Sequence, residues 1–323
     1  MRYITINELS NIVRNNIFKV PHDIDLVVGV PRSGLLPANM IALYLNTQLS
    51  DVDSFINGHI YKSGRRGEYI ASLKFKKILV VDDSVYAGAS ISEAKAKLLA
   101  FNPTYEYIFC SPIVTTLGQQ FVDIWFETID DVRVFEWNLF HHHLLANACL
   151  DIDGVLNVDP LEDDDGDKYI SFLNNAIPLF VPTVRIGTLI SCRLEKYRKE
   201  TENWLRNHNV QYDRLVLLDF PNKNARVKWG KHGKYKGHYY KTSTCGLFIE
   251  SSINQAQEIA KISSKPVICI ETNSLVRPNP NKSIILKSKK KVKKYLPGIY
   301  SKLKQLKNKL FLFLNASYNK GKY

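Results

Sequence analysis

Two series of short apolar runs, each run followed by a turn and many of them by a helical pattern, constrain this chain more than any other feature. DLVVGV (25–30) leads into LLPANMIALYLN, and KILVVDD (77–83) leads into ISEAKAKLLA. YEYIFCSPIV (105–114) is a third run in the first half. Such runs read as buried strands, and strands alternating with helices imply a mostly parallel sheet. The second half repeats the pattern with ACLDID, RIGTLIS, DRLVLLD, GLFIE and PVICIE. The spacing predicts an α/β chain of two doubly wound, mostly parallel-sheet domains in tandem. A boundary near FEWNLFHHHLLAN gives residues 1–145 to the first and 146–275 to the second. Residues 276–323, opening on RPNPNKS, form a basic tail. Ligands of such sheets bind at the carboxyl ends of strands, so the residues just after each run are the ones to read for chemistry.

The net charge of +13 is unevenly spread. After Glu271 there are 13 Lys, one Arg (Arg277) and no acidic residue. Subtracting these 14 from 44 basic residues leaves 30 against 31 acidic ones, so the body is close to neutral. In the tail, Ile299, Leu303, Leu306, Leu310 and Phe313 recur at helical spacing among lysines. That pattern predicts a basic amphipathic helix on an anionic membrane surface. No apolar run reaches the roughly 18 residues of a membrane span. MRYITINELSNIVRNN lacks the apolar centre of a signal peptide, and the five cysteines are scattered singly. The expected location is therefore the cytoplasm, with reduced thiols and peripheral attachment at the inner face of the membrane. No sequence-specific nucleic-acid motif is recognisable, and self-association is left open. His141–His143 are adjacent and cannot all face one ion, so they read as surface or interface residues. Trp125 and Trp137 read as packing residues.

VVDDSVYAGAS (80–90) puts Asp82 and Asp83 at a strand end, then a small-residue turn, then a helix start. Backbone N–H groups in such a turn cradle a phosphate, and the helix dipole favours the anion. The two carboxylates can then grip vicinal sugar hydroxyls. This loop resembles the phosphoribosyl-diphosphate signature of type I phosphoribosyltransferases. Ala87 stands where that family usually has Thr, so phosphate contact would rest on the amides of Tyr86, Ala87, Gly88 and Ala89 and on Ser90. GVPRSG (29–34) lies where the family places its diphosphate loop, which implies roles for Arg32, Ser33 and Gly34. NGHIYKSGRRGEY (57–69) is similar to the family's closing loop, with Lys62, Arg65 and Arg66 as diphosphate-neutralising candidates.

CLDIDGVL (149–156) reads as a strand ending in Asp-x-Asp-Gly. A carboxylate nucleophile needs a second carboxyl group to serve as acid and then base. The motif resembles the first motif of haloacid dehalogenase superfamily phosphatases, which implies Asp151 as nucleophile and Asp153 as general acid/base. TLISCR (188–193) resembles the second motif through Ser191. KWGKHGKYKGHYYK (228–241) offers the third-motif lysine, with Lys236 first and Lys241 second. GLFIESS (246–252) offers Glu250 as the fourth-motif acid. The resemblance implies Mg2+ held by Asp151, the Asp153 backbone oxygen and Glu250. The short segments between motifs leave no room for a large cap, which suits a bulky substrate.

Together the resemblances imply phosphoribosyl transfer from phosphoribosyl diphosphate, followed by removal of the 5-phosphate. This arrangement is similar to systems that add ribofuranose to bacterial surface glycans on a lipid-linked acceptor. The alternative is an orotate- or purine-type phosphoribosyltransferase of nucleotide metabolism coupled to a nucleotidase. A non-enzymatic sensor of phosphoribosyl diphosphate is a third class, disfavoured by the second set of motifs.

Overall fold

The computed structural model describes residues 1–61, 75–160 and 165–278. The chain folds as two compact units. The first is Met1–Leu145 with Val181–Arg185 and Asn273–Leu275, and the second contains Ala146–Phe180 and Ile186–Thr272. Both are α/β, with parallel sheets.

The first unit runs β1 (Arg2–Ile4), α1 (Ile6–Asn16), β2 (Leu26–Gly29), α2 (Leu35–Leu45), β3 (Gln48–Asp51) and α3 (Val52–Ile56). It continues with β4 (Lys77–Val81), β5 (Ser84–Val85), α4 (Ala89–Phe101), β6 (Glu106–Val114), β7 (Ile124–Thr128) and β8 (Arg133–Phe135). The main sheet has the order β3-β2-β4-β6-β5, with β7 also on β6. Side chains alternate across a strand. Val27, Leu79 and Val81 therefore meet α1 and α2 through Leu9, Ile12, Ala38 and Ile41. Leu26, Val28, Ile78 and Val80 meet α3 and α4 through Val52, Phe55, Ile91 and Leu98. Burying each such side chain contributes about 1.5–3 kcal/mol, so apolar residues on both faces of a strand stabilise a sheet covered on both sides. Thr5 caps α1 by accepting the Glu8 N–H at 3.1 Å, the start of a Thr-x-x-Glu capping sequence.

The register places the first site. Gly29 pairs with Val81, and Val81 with Cys110, so β2 and β4 end level. The loops after them emerge side by side, tied by Val30 N–H to the Val81 carbonyl at 2.8 Å. Separately, β1 and β8 form a two-stranded parallel ribbon. It fixes the start of the turn at Glu136–His141, whose Glu136 accepts the Ile6 N–H at 2.7 Å.

The second unit runs β9 (Ala148–Leu150), α5 (Asp167–Asn175), β10 (Ile186–Leu194), α6 (Arg198–Asn207) and β11 (Tyr212–Leu218). Then follow α7 (Lys223–Trp229), α8 (His232–Thr242), β12 (Leu247–Glu250), α9 (Ile253–Ser263) and β13 (Val267–Cys269). Its parallel strands have the order β11-β10-β9-β12-β13. One face packs Cys149, Ile190 and Phe248 against Tyr240 of α8 and Ala256, Ile259 and Ala260 of α9. Leu194 and Leu218 pack with Tyr169 and Leu173 of α5. Leu150 pairs with Leu189 on one side and Ile249 on the other. The ends of β9 and β12 and the distal part of β10 thus come to one edge. Register against β11 shifts between Ile190 and Leu194, an irregularity that spans Ser191 and Arg193 and re-aims the side chains it carries. Among the described residues no helix is long and apolar enough to cross a membrane.

Candidate active sites

In the first unit Asp82 and Asp83 directly follow β4 and are nearly buried, each 7% exposed. Asp83 is held from two sides. Its Oδ1 accepts the Ser33 hydroxyl at 2.9 Å, and its Oδ2 accepts the Trp137 indole N–H at 3.0 Å. Asp82 instead accepts the Asp83 backbone N–H at 2.9 Å. Burial, and then the neighbouring Asp83 charge, push the Asp82 carboxyl up to about 8. The pair is therefore asymmetric, with one carboxyl braced by side-chain donors and the other biased toward its neutral form.

Beyond the acids, Asp82, Ser84, Val85, Tyr86, Ala87, Gly88, Ala89, Ser90 and Ile91 line a cavity of about 210 Å³ at the start of α4. Gly88 has φ +76, and a Cβ there would lie 2.2 Å from the Phe121 ring, so the turn needs glycine twice over. Arg133 donates to the Ser84 hydroxyl at 2.8 Å and lies over the Tyr86 ring at 5.6 Å. In the neighbouring loop Arg32 is exposed, and the Pro31–Arg32 peptide is cis. Gly34 was expected to admit a ligand closely. What a Cβ there would meet is the chain's own backbone, the Val30 carbonyl at 2.5 Å and the Val81 carbonyl at 2.7 Å. Its small size serves the packing of this loop onto the end of β4.

In the second unit the charges are paired with buried cations. Lys236 on α8 is fully buried and donates to Asp151 at 2.5 Å and to Glu250 at 2.9 Å. Burial pushes the Asp151 carboxyl upward, and the Lys236 ammonium opposes that push. Burial works against the Lys236 charge too, but Asp151 and Glu250 outweigh it and hold the ammonium above its ordinary value. Lys241, the second lysine candidate, is exposed. Glu250 also accepts the Ser251 N–H at 3.0 Å, and Asp151 accepts the Ile152 N–H at 2.9 Å. Ser191 is buried, and its hydroxyl accepts the Arg193 N–H at 3.2 Å.

The expected magnesium set is Asp151, the Asp153 backbone oxygen and Glu250, and the side chain of Asp153 is instead the expected general acid/base. Its carboxylate is taken by Arg193, with Nη2 at 2.6 Å and Nε at 3.1 Å. Among the described residues no group of three His, Cys, Asp or Glu side chains is placed to hold a metal. The oxygen donors that a hard divalent cation would find are Asp151, Glu250 and the Asp153 carbonyl, and their chemistry fits magnesium.

Comparison with known proteins bears on the first unit. Residues 2–144 match the family model described as phosphoribosyl transferase domain. The first unit carries a phosphoribosyl transferase domain. Among solved structures, Helicobacter pylori xanthine-guanine-hypoxanthine phosphoribosyltransferase is 17% identical with a TM-score of 0.33, over 43% of this chain and 92% of that one. A purine phosphoribosyltransferase from Pyrococcus horikoshii Ot3 is 18% identical with a TM-score of 0.32, over 42% and 92%. Orotate phosphoribosyltransferase from Aeropyrum pernix is 19% identical with a TM-score of 0.28, over 38% and 70%. No curated protein gives a significant match.

Within the phosphoribosyl transferase domain, the structure brings Ser33, Asp83 and Trp137 together, although Trp137 reads from sequence only as a packing residue. It does pack, with its ring centroid 4.9 Å from that of Phe135, but its N–H serves Asp83. Nothing in the local sequence announces a contact across 54 positions. Arg193 was missed as well, and a signal for it existed. It stands two residues after Ser191, a spacing that on a regular strand puts both side chains on one face, although β10 is irregular there. His142 and His143 stack on each other with centroids 4.3 Å apart. Lys62, Arg65 and Arg66, and the tail beyond residue 278, lie outside the described residues.

Proposed function

We propose that the chain performs two reactions in series. In the first, the phosphoribosyl transferase domain moves a 5-phosphoribosyl group from phosphoribosyl diphosphate to a hydroxyl of a glycan acceptor. The bond from ribose C1 to the diphosphate oxygen breaks, a bond from C1 to the acceptor oxygen forms, and diphosphate leaves, with the proton of the acceptor hydroxyl passing to the departing diphosphate or to water. Asp82 and Asp83 meet the ribose hydroxyls. The turn at Tyr86, Ala87, Gly88, Ala89 and Ser90 receives the 5-phosphate. Binding the diphosphate is assigned to Arg32 and the Ser33–Gly34 turn beside it, with Lys62, Arg65 and Arg66 as its charge-neutralising candidates.

In the second reaction Asp151 attacks the 5-phosphate, and the ribose oxygen leaves with a proton from Asp153. Water, activated by Asp153, then frees inorganic phosphate and regenerates Asp151. Ser191 and Lys236 hold the transferring phosphoryl group and balance charge. Mg2+ at Asp151, the Asp153 carbonyl and Glu250 would neutralise phosphoryl oxygens. Removing the phosphate makes the first transfer effectively irreversible. The lysine-rich segment from residue 276 holds the chain to the anionic inner face of a membrane, where a lipid-linked glycan would be found.

The observation that carries this reading is the cluster at the ends of β9 and β12. One buried ammonium lies within hydrogen-bond reach of two buried carboxylates, Asp151 and Glu250, in a chain whose other unit is a phosphoribosyl transferase domain. The test has two parts. Full-length protein is given phosphoribosyl diphosphate, and diphosphate release is followed; separately it is given p-nitrophenyl phosphate with magnesium. The reading expects both activities, the second lost on Asp151→Asn. Absence of phosphomonoester hydrolysis in the folded wild-type protein refutes the serial scheme.

A further inference from the structure

The two carboxylates of the donor loop are treated unequally, and the cause lies outside that loop. Asp83 takes a hydrogen bond on each oxygen, from Ser33 at 2.9 Å and from Trp137 at 3.0 Å. Two donors on opposite oxygens set the rotation of the carboxylate plane as well as its position. Ser33 belongs to the loop after β2. Trp137 belongs to the turn after β8, on the other side of the site in sequence.

Trp137 is itself tightly held. β8 is paired residue for residue with β1, with Arg133 opposite Arg2, Val134 opposite Tyr3 and Phe135 opposite Ile4. Glu136, the next residue, is bonded to the first N–H of α1 at 2.7 Å. The indole then packs on Phe135 with ring planes 30° apart. A side chain anchored before, beside and beneath has little freedom, so its N–H is a fixed donor and not an opportunistic one. The same segment touches the donor loop a second time, where Arg133 meets Ser84 at 2.8 Å and Tyr86 through its ring.

The geometry points to Trp137 as a positioning residue of the first site: its indole N–H fixes the Asp83 carboxylate, so that the segment after β8 sets the shape of the sugar-diphosphate loop. The inference rests on the phosphoribosyl reading of that site. A hydrogen bond to a charged acceptor contributes about 1.5–3 kcal/mol, which at the lower bound corresponds to about tenfold in affinity. The energy is realised when the donor is bound, because the donor's hydroxyls find Asp83 already oriented. The turnover of donor once bound depends on it less.

The experiment compares full-length wild type, Trp137→Phe, and two isosteric replacements at position 137. One is 7-azatryptophan, which keeps the N–H; the other is β-benzothienylalanine, which keeps the shape and lacks it. Binding of phosphoribosyl diphosphate is measured by calorimetry, KM and kcat by diphosphate release, and folding by thermal unfolding. Trp137→Phe and the benzothienyl variant should weaken donor binding and raise KM by about tenfold, with kcat changed by less than about threefold. The azatryptophan variant should stay within about twofold of wild type. Equal donor binding by the two isosteric variants overturns the positioning role, since shape alone would then account for Trp137. Should Trp137→Phe fail to fold, the isosteric pair still decides. Wild type that does not bind phosphoribosyl diphosphate overturns the reading of the site, and this inference with it.

Discussion

Asp83 and Asp151 both lie just beyond a parallel strand of a doubly wound sheet, yet their surroundings handle the negative charge in opposite ways. Asp83 is braced by neutral donors, a hydroxyl and an indole N–H, and its neighbour Asp82 is pushed toward the neutral form by burial. Asp151 is met by a buried ammonium that also serves Glu250, and Asp153 by a buried guanidinium. Neutral donors orient a carboxylate and leave its charge available for hydroxyls to satisfy. Buried cations cancel the charge in place, which prepares a site to accept an anionic phosphoryl group. On the proposed reading, the first arrangement would meet a sugar face and the second a phosphate dianion.

The most severe way to separate the two sites is to remove the nucleophile proposed for the second, Asp151. Asp151→Asn should lower phosphomonoester hydrolysis by about 10⁴-fold or more, the scale seen when a nucleophile is deleted. Consumption of phosphoribosyl diphosphate should be unchanged. Asp83→Asn is the reciprocal variant. It should cut donor consumption by roughly 10²–10³-fold, the loss typical of one oriented polar group, and leave p-nitrophenyl phosphate turnover intact. Loss of both activities in either folded variant would break the comparison.

The two sites should also differ in what they do to stability. Lys236→Met leaves Asp151 and Glu250 buried without their counter-ion, and should cost about 3–5 kcal/mol by urea unfolding. Asp83→Asn keeps an acceptor oxygen and removes no buried cation, so its cost should be about 1 kcal/mol or less. Equal losses would show that the charge pairing in the second unit is not what holds its site together.

A further difference concerns pH. Asp82 has a folded value near 8, above the ordinary carboxyl range, because of burial and then Asp83. Between these values the folded chain binds more protons than the unfolded one, so this group's stabilising contribution is fully present at low pH and is lost as pH rises toward 8. Stability of the first unit should therefore fall between about pH 4 and pH 8 through this group. Asp82→Asn should flatten that slope in unfolding curves taken across the range. An unchanged slope would place the proton elsewhere.

The strands and the acids at their ends were legible because apolar runs and the residues that terminate them are local signals. DLVVGV and KILVVDD each announce a strand, and each strand is present. Lys236 was legible only as one of several lysines, since the sequence does not say which face of α8 turns inward. Trp137 could not be read at all as a partner of Asp83, because its role arises from the pairing of β8 with β1, strands from opposite ends of the unit's sequence. Arg193 lies between these cases. Its period-two relation to Ser191 was visible, but the partner that it clamps, Asp153, lies 40 positions away.

The central claim is that the product of the first unit is the substrate of the second. It is tested most directly by mass spectrometry of a glycan acceptor incubated with phosphoribosyl diphosphate and either wild-type or Asp151→Asn protein. The account predicts an added ribose with wild type and an added ribose plus phosphate with the variant. An acceptor that gains the same group from both proteins would contradict it.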